Sequence, residues 1–196
     1  MTEARPRRHR HSIRLKGYDY SQAGVYFVTI CSVDRGLLFG DIHSDAMRLN
    51  PYGLVARQCW DDIPVHFPTV TLDAFVVMPN HVHGIIIIQP TPPPTAAPST
   101  MGAVATDGDG VSAVGARHAS PLPLPRRPMV GVVVGSYKSA VARQINIARQ
   151  TPGAPVWQRN YYEHIVRTDE ALARIRDYIL NNPARWWADH EKTTGP

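Results

Sequence analysis

The chain has 196 residues, a formal net charge of +5 and two cysteines. That length supports one sizeable core with tails, and no apolar run approaches the roughly 18 residues of a membrane span. Cys31 and Cys59 make neither a metal-binding nor a redox spacing, so reduced thiols and a cytoplasmic location are expected.

Residues 1–16 hold Arg5, Arg7, Arg8, Arg10, Arg14 and Lys16 against Glu3, so the whole excess of +5 lies there. No apolar h-region follows, so a secretory leader is not expected. A basic arm ahead of a folded domain suits a polyanion such as nucleic acid, with Arg7 and Arg8 as candidate DNA contacts. Residues 25–33 are β-branched and aromatic and predict a first strand. A turn or short hairpin is expected over 36–44. Asn50 and Pro51 predict a helix start, with Leu54, Val55 and Cys59 at helical spacing to about Asp62, and Pro64 and Pro68 are expected to end it.

Residues 70–78 and 81–88 predict two further strands, joined by Pro79-Asn80 as an antiparallel hairpin. Side chains alternate along a strand, so His81 and His83 share a face and Val82 takes the other. Two imidazoles at the start of a stiff strand can share a metal ion. The tripeptide alone is equally compatible with two polar residues at a strand end.

Residues 89–128 are rich in proline and glycine, aperiodic and without aromatics. They are expected to form a disordered or weakly ordered insertion. Helical spacing resumes over 129–150, with Val130, Val133, Val134, Tyr137, Val141, Ile145 and Ala148 falling three or four apart on one face. Lys138 and Arg143 on the other face are candidate phosphate contacts. Residues 156–166 predict a last strand. Thr168 then caps a helix whose core stripe is Leu172, Ile175 and Ile179, and which is expected to stop at Pro183. Tyr178 and Asn182 lie four apart on it and share a face.

This order predicts an α+β fold: a ferredoxin-like split βαβ sandwich, its antiparallel sheet carrying helices on one face, plus a C-terminal helix. The expected organisation is a basic arm (1–16), one domain (17–187) interrupted by the insertion 89–128, and a short tail (188–196).

Met78-Pro79-Asn80-His81-Val82-His83 resembles the HUH motif of single-strand DNA transposases. Ser136-Tyr137-Lys138-Ser139, the run from Trp157 through Tyr161-Tyr162-Glu163-His164-Ile165, and Asp177-Tyr178-Ile179-Leu180-Asn181-Asn182-Pro183 resemble REP-associated tyrosine transposases. These form a branch of the single-tyrosine HUH transposase family. The resemblance covers 17–88 and 129–187, with the motifs in the family's order.

What it implies is a metal-dependent DNA strand transferase that cleaves and rejoins single-stranded, hairpin-bearing DNA through a 5′-phosphotyrosine. Tyr178 would be the nucleophile. His81, His83 and Asn182 would hold Mg²⁺ or Mn²⁺, and His164 would be an accessory group. The partner would be single-stranded or hairpin DNA, with no membrane. Monomer and homodimer are both compatible with the family. The main alternative is a catalytically silent, domesticated DNA-binding protein. A histidine-triad hydrolase would want a third histidine where Ile85 stands.

Overall fold

The computed structural model describes residues 22–90 and 129–194; the basic arm with Arg7 and Arg8, and nearly all of the insertion, lie outside them. Strand β1 spans Gly24–Cys31 and is followed by a short 3-10 turn. Strands β2 (Gly40–His43) and β3 (Ala46–Leu49) form a hairpin apart from the main sheet. Ser44 and Asp45, both at positive φ (47° and 64°), make its two-residue turn, whose twist matches the flanking strands.

Helix α1 (Pro51–Asp61) starts where the sequence predicts, because the Asn50 side chain accepts from the amides of Tyr52 (2.9 Å) and Gly53 (3.0 Å). Pro64 does not end helical structure. It sits in the first turn of a short helix, α2 (Ile63–His66), where its missing N–H costs nothing. Strands β4 (Val70–Met78) and β5 (His81–Ile88) have the expected bounds, and helix α3 covers Val130–Arg149.

The expected strand over 156–166 is shortened. Only Tyr162–Val166 forms β6, and upstream a single bridge joins Trp157 to Ser32. The intervening loop is held instead by Lys138, whose Nζ donates to the carbonyls of Gln158 (2.7 Å) and Arg159 (3.1 Å). Helix α4 spans Asp169–Leu180, capped by Thr168. The chain does not stop at Pro183. After a break at Asn181 (φ −90°, ψ 5°), helix α5 runs Asn182–Thr194, through the stretch expected to be a tail. A proline in the first turn of a helix is tolerated there for the same reason as Pro64.

The main sheet has the order β4-β5-β1-β6, every pair antiparallel. With α1 and α3 as crossovers this is the expected ferredoxin-like arrangement. One face packs Tyr26, Val28, Ile30, Val82 and Ile86 against Trp60 of α1 and Val133, Tyr137 and Val141 of α3. Gly84 is required on this face: a Cβ there would lie 2.3 Å from Trp60, whose ring stacks on Phe75. The other face is covered by α4, with Phe27, Ile85 and Val166 packed on Ile179, Leu172 and Ile175. A bulge in β4 lets Asp73 and Ala74 both turn to this second face: Leu72 pairs with Ile86, but Phe75 with Gly84. Ala74 joins the α4-side cluster, and Asp73 binds Arg176 of α4, with Nε donating to Oδ1 at 2.9 Å.

Among the described residues, no helix is long and apolar enough to cross a membrane.

Candidate active site

The β4–β5 turn is two residues long, so Met78 pairs with His81 and Val76 with His83. The carbonyl of Pro79 accepts from the amides of Leu38 (2.7 Å) and Phe39 (3.0 Å). The carbonyl of Asn80 accepts from the Ser32 amide (2.9 Å) and the Ser32 hydroxyl (2.9 Å). The start of β5 is therefore fixed by the loop that follows β1.

His81 and His83 project onto the α4 face, as alternation predicts, with ring centroids 4.5 Å apart. Their Nε2 atoms are 3.0 Å apart. His81 Nδ1 lies 2.6 Å from the Asn80 side-chain oxygen. An amide oxygen only accepts, so His81 carries its proton on Nδ1 and presents a lone pair at Nε2. His83 Nδ1 lies 2.8 Å from the Thr29 hydroxyl, its cross-strand neighbour. A hydroxyl both gives and takes a proton, so Thr29 supports either tautomer of His83.

Burial, reinforced by the charge of Arg35, lowers the pKa of His81 to about 4. Burial, then the neighbouring His81, lowers that of His83 to about 3. Both rings are therefore neutral at pH 7, the state that ligates metal.

Helix α4 brings Tyr178 to this pair. Its hydroxyl is 3.3 Å from His83 Nε2, and its ring stands edge-on to Phe27, which itself stacks on His83 at 5.5 Å. Ile179 is fully buried beneath it and Tyr178 is 36% exposed, so the helix is anchored by one residue and presents the next. Asn182 follows the break, is buried and opens α5. Among the described residues no hydrogen bond joins its side chain to either histidine.

Helix α5 adds two groups beside the site; from sequence Trp186 is a candidate only for stacking on unpaired bases, and Arg185 carries no expectation. Trp186 lies over His81 (centroids 5.9 Å apart), and the Arg185 guanidinium lies over the Tyr178 ring (5.6 Å to its centroid). Neither was legible once Pro183 was read as a terminator. Thr29 was hidden for another reason: its role depends on the β1–β5 register.

The other candidates lie elsewhere. His164 is exposed on β6 opposite Phe27, and among the described residues no hydrogen bond links it to the pair. Lys138 is committed to the loop carbonyls of Gln158 and Arg159, and Arg143 is exposed on α3.

The donor set suits a divalent cation. Two neutral imidazole nitrogens 3.0 Å apart on one sheet face are close enough to share one cation. Among the described residues, no cluster of three or more His, Cys, Asp or Glu side chains surrounds such a position.

Comparison with known proteins places the chain. No protein-family model matches it. It is 39% identical over 182 residues to an uncharacterised protein of Haemophilus influenzae, covering 92% of both chains. It is 24% identical over 168 residues to a second H. influenzae protein named as a REP-associated tyrosine transposase, covering 85% of this chain and 74% of that one. Two solved structures are similar more distantly. One is of a REP-associated tyrosine transposase bound to a REP hairpin, with 18% identity, a TM-score of 0.46, and 94% of this chain and 74% of that one covered. The other is of a Deinococcus radiodurans protein described as a transposase, with 16% identity, a TM-score of 0.43, and 87% of this chain and 97% of that one covered.

A tyrosine on a helix facing two sheet-borne histidines is the layout the HUH motif leads one to expect. The named H. influenzae relative agrees with the resemblance to REP-associated tyrosine transposases read from the sequence motifs. That likeness supports a transposase-like role in DNA processing.

Proposed function

We propose that the protein cleaves and rejoins single-stranded DNA by transesterification at Tyr178. The observation that carries this reading is the approach of the Tyr178 hydroxyl to His83 Nε2 (3.3 Å), beside the paired His81 and His83 Nε2 atoms. In the step, the Tyr178 phenol loses its proton to solvent and its oxygen forms a bond to phosphorus. The bond to the 3′ oxygen breaks, and that oxygen takes up a proton. The products are a 5′-phosphotyrosine and a free 3′-OH. One ester replaces another, so a second 3′-OH can reverse the step without a nucleotide cofactor.

His81, His83 and Asn182 would hold a divalent cation, Mg²⁺ or Mn²⁺. When bound, the cation neutralises phosphate charge and orients the scissile bond. Thr29 and Asn80 fix the imidazoles through their Nδ1 atoms, so both Nε2 atoms face inward. Phe27 and Ile179 hold Tyr178 on a rigid element, which favours in-line geometry. Trp186 limits water beside His81.

The substrate is hairpin-bearing single-stranded DNA. The name of the H. influenzae relative points to REP sequences, and the basic arm with Arg7 and Arg8, together with Arg143, supplies charge for the backbone. His164 is an accessory group at the sheet edge, and the working location is the cytoplasm.

The test uses the full chain, Mn²⁺ or Mg²⁺, and 3′-labelled REP-like hairpin oligonucleotides with randomised flanks. A labelled protein band on a denaturing gel, lost in Tyr178→Phe, in His81→Ala and in chelator, is the expected result. Cleavage that survives Tyr178→Phe overturns the tyrosine in favour of a water nucleophile. Tight hairpin binding without cleavage makes the protein a silent DNA-binding relative.

A further inference from the structure

The geometry points to Arg185 as the residue that binds the scissile phosphate on the nucleophile's side, a catalytic role that rests on the transesterification reading above. Two neutral imidazoles and a neutral phenol bring no positive side-chain charge of their own to an anionic phosphodiester. Arg185 does. Its guanidinium carbon lies 5.6 Å from the centroid of the Tyr178 ring. Its side chain is 54% exposed, so an incoming strand can reach it.

What holds it is weak and local. Nη2 reaches Asp177 Oδ2 at 3.3 Å, and Asp177 Oδ1 already accepts from Asn181 at 2.7 Å. Among the described residues no other side-chain hydrogen bond engages the guanidinium, which leaves most of its five N–H donors for oxygen acceptors. A planar fork of donors matches two phosphate oxygens, a fit that lysine does not reproduce. The break at Asn181 makes this possible: α4 carries the nucleophile, and the first turn of α5 swings Arg185 back over it.

During the step, Tyr178 oxygen bonds to phosphorus as the 3′ oxygen departs, and charge accumulates on the non-bridging oxygens. Arg185 donates to one or two of those oxygens and stays protonated throughout. Asp177 positions the guanidinium in the absence of DNA and touches no reacting atom.

The test measures single-turnover adduct formation by the full chain with Mn²⁺ and the hairpin oligonucleotide. Arg185→Ala is expected to slow the adduct about 100-fold, and guanidinium ion added to that variant to restore part of the rate. Arg185→Lys, which keeps the charge and loses the fork, is expected to slow it about tenfold with an unchanged thermal midpoint. Asp177→Asn breaks the ion pair but leaves the guanidinium in place, and is expected to stay within about threefold of the unaltered protein. An Arg185→Ala rate within about threefold of the unaltered rate overturns the inference, as does an Asp177→Asn rate as slow as Arg185→Ala, which would make the pair merely structural. An unaltered protein that forms no adduct overturns the parent reading and this inference together.

Discussion

The hydroxyl of Tyr178 and Nε2 of His83 lie 3.3 Å apart although 95 positions separate them in the chain. Nothing local creates that contact. It exists because β5 is fixed in the sheet and α4 is docked across the sheet's second face. Site geometry is therefore a readout of how firmly α4 sits.

The Asp73–Arg176 ion pair is one of the anchors of α4, and the β4 bulge aims it. Arg176 holds the Asp73 carboxyl below the usual carboxylate range. A folded pKa below the unfolded one means stability that is present above the unfolded pKa and lost as pH falls through the folded one. The pair is partly exposed, so Asp73→Ala is expected to cost only about 0.5–1 kcal/mol. Hydrogen exchange should show faster opening of α4 amides with little change in β1 and β5. Equal effects on both would show that the pair does not act on α4 alone.

The buried histidines predict a further pH response. His81 and His83 titrate at about 4 and about 3, below the ordinary 6.5. Between these limits the unfolded chain binds more protons than the folded one, so stability falls on acidification. Each histidine contributes at most about 1.4 kcal/mol per pH unit. Urea unfolding in chelator at about pH 7, 6 and 5 should show a declining midpoint, with a shallower decline in His83→Gln. Identical slopes would mean that His83 is not held neutral by the fold.

Gly84→Ala should be costly despite its size, because the new methyl meets the Trp60 ring at 2.3 Å. A ring stacked on Phe75 has no room to retreat, and overpacking of this kind costs about 1–3 kcal/mol. Chemical denaturation measures it. A neutral result would show that Trp60 can repack.

Lys138→Met should act through the loop it holds. The amine donates to two carbonyls, so its removal is expected to lower stability by about 1 kcal/mol. Arg143→Ala, at an exposed position, should leave stability within about 0.5 kcal/mol and weaken DNA binding in a salt-dependent way. A thermal melt beside a binding titration separates the two. If Lys138→Met weakens binding with an unchanged melt, the lysine belongs with the DNA contacts after all.

Local signals located most of the scaffold. Asn50-Pro51 marks the start of α1, the β-branched run from Val82 marks β5, and Thr168 marks the start of α4, each for a reason confined to a few residues. The paired histidines were legible for the same reason, since alternation alone sets their common face. What escaped depends on distant partners. Residues 156–161 look like more of β6, but Lys138 and the bridge to Ser32 hold them as a loop. Pro183 looks like a stop because an interior proline breaks a helix, yet here a new helix begins one residue earlier. Trp186 and Arg185 are hidden with it. Thr29 becomes meaningful only when register sets it opposite His83.

The turn carrying the histidines also bears on how such a sequence can diverge. Among the described residues, main-chain amides give three of the five bonds gripping it, those of Leu38, Phe39 and Ser32; the Ser32 hydroxyl gives a fourth, and the Asn80 side-chain amide gives the fifth to the Arg35 carbonyl. Amides are common to every residue except proline. Lineages can therefore rewrite the sequence of this loop while inheriting the same placement of the histidines, so the site can persist between relatives whose overall identity has drifted low.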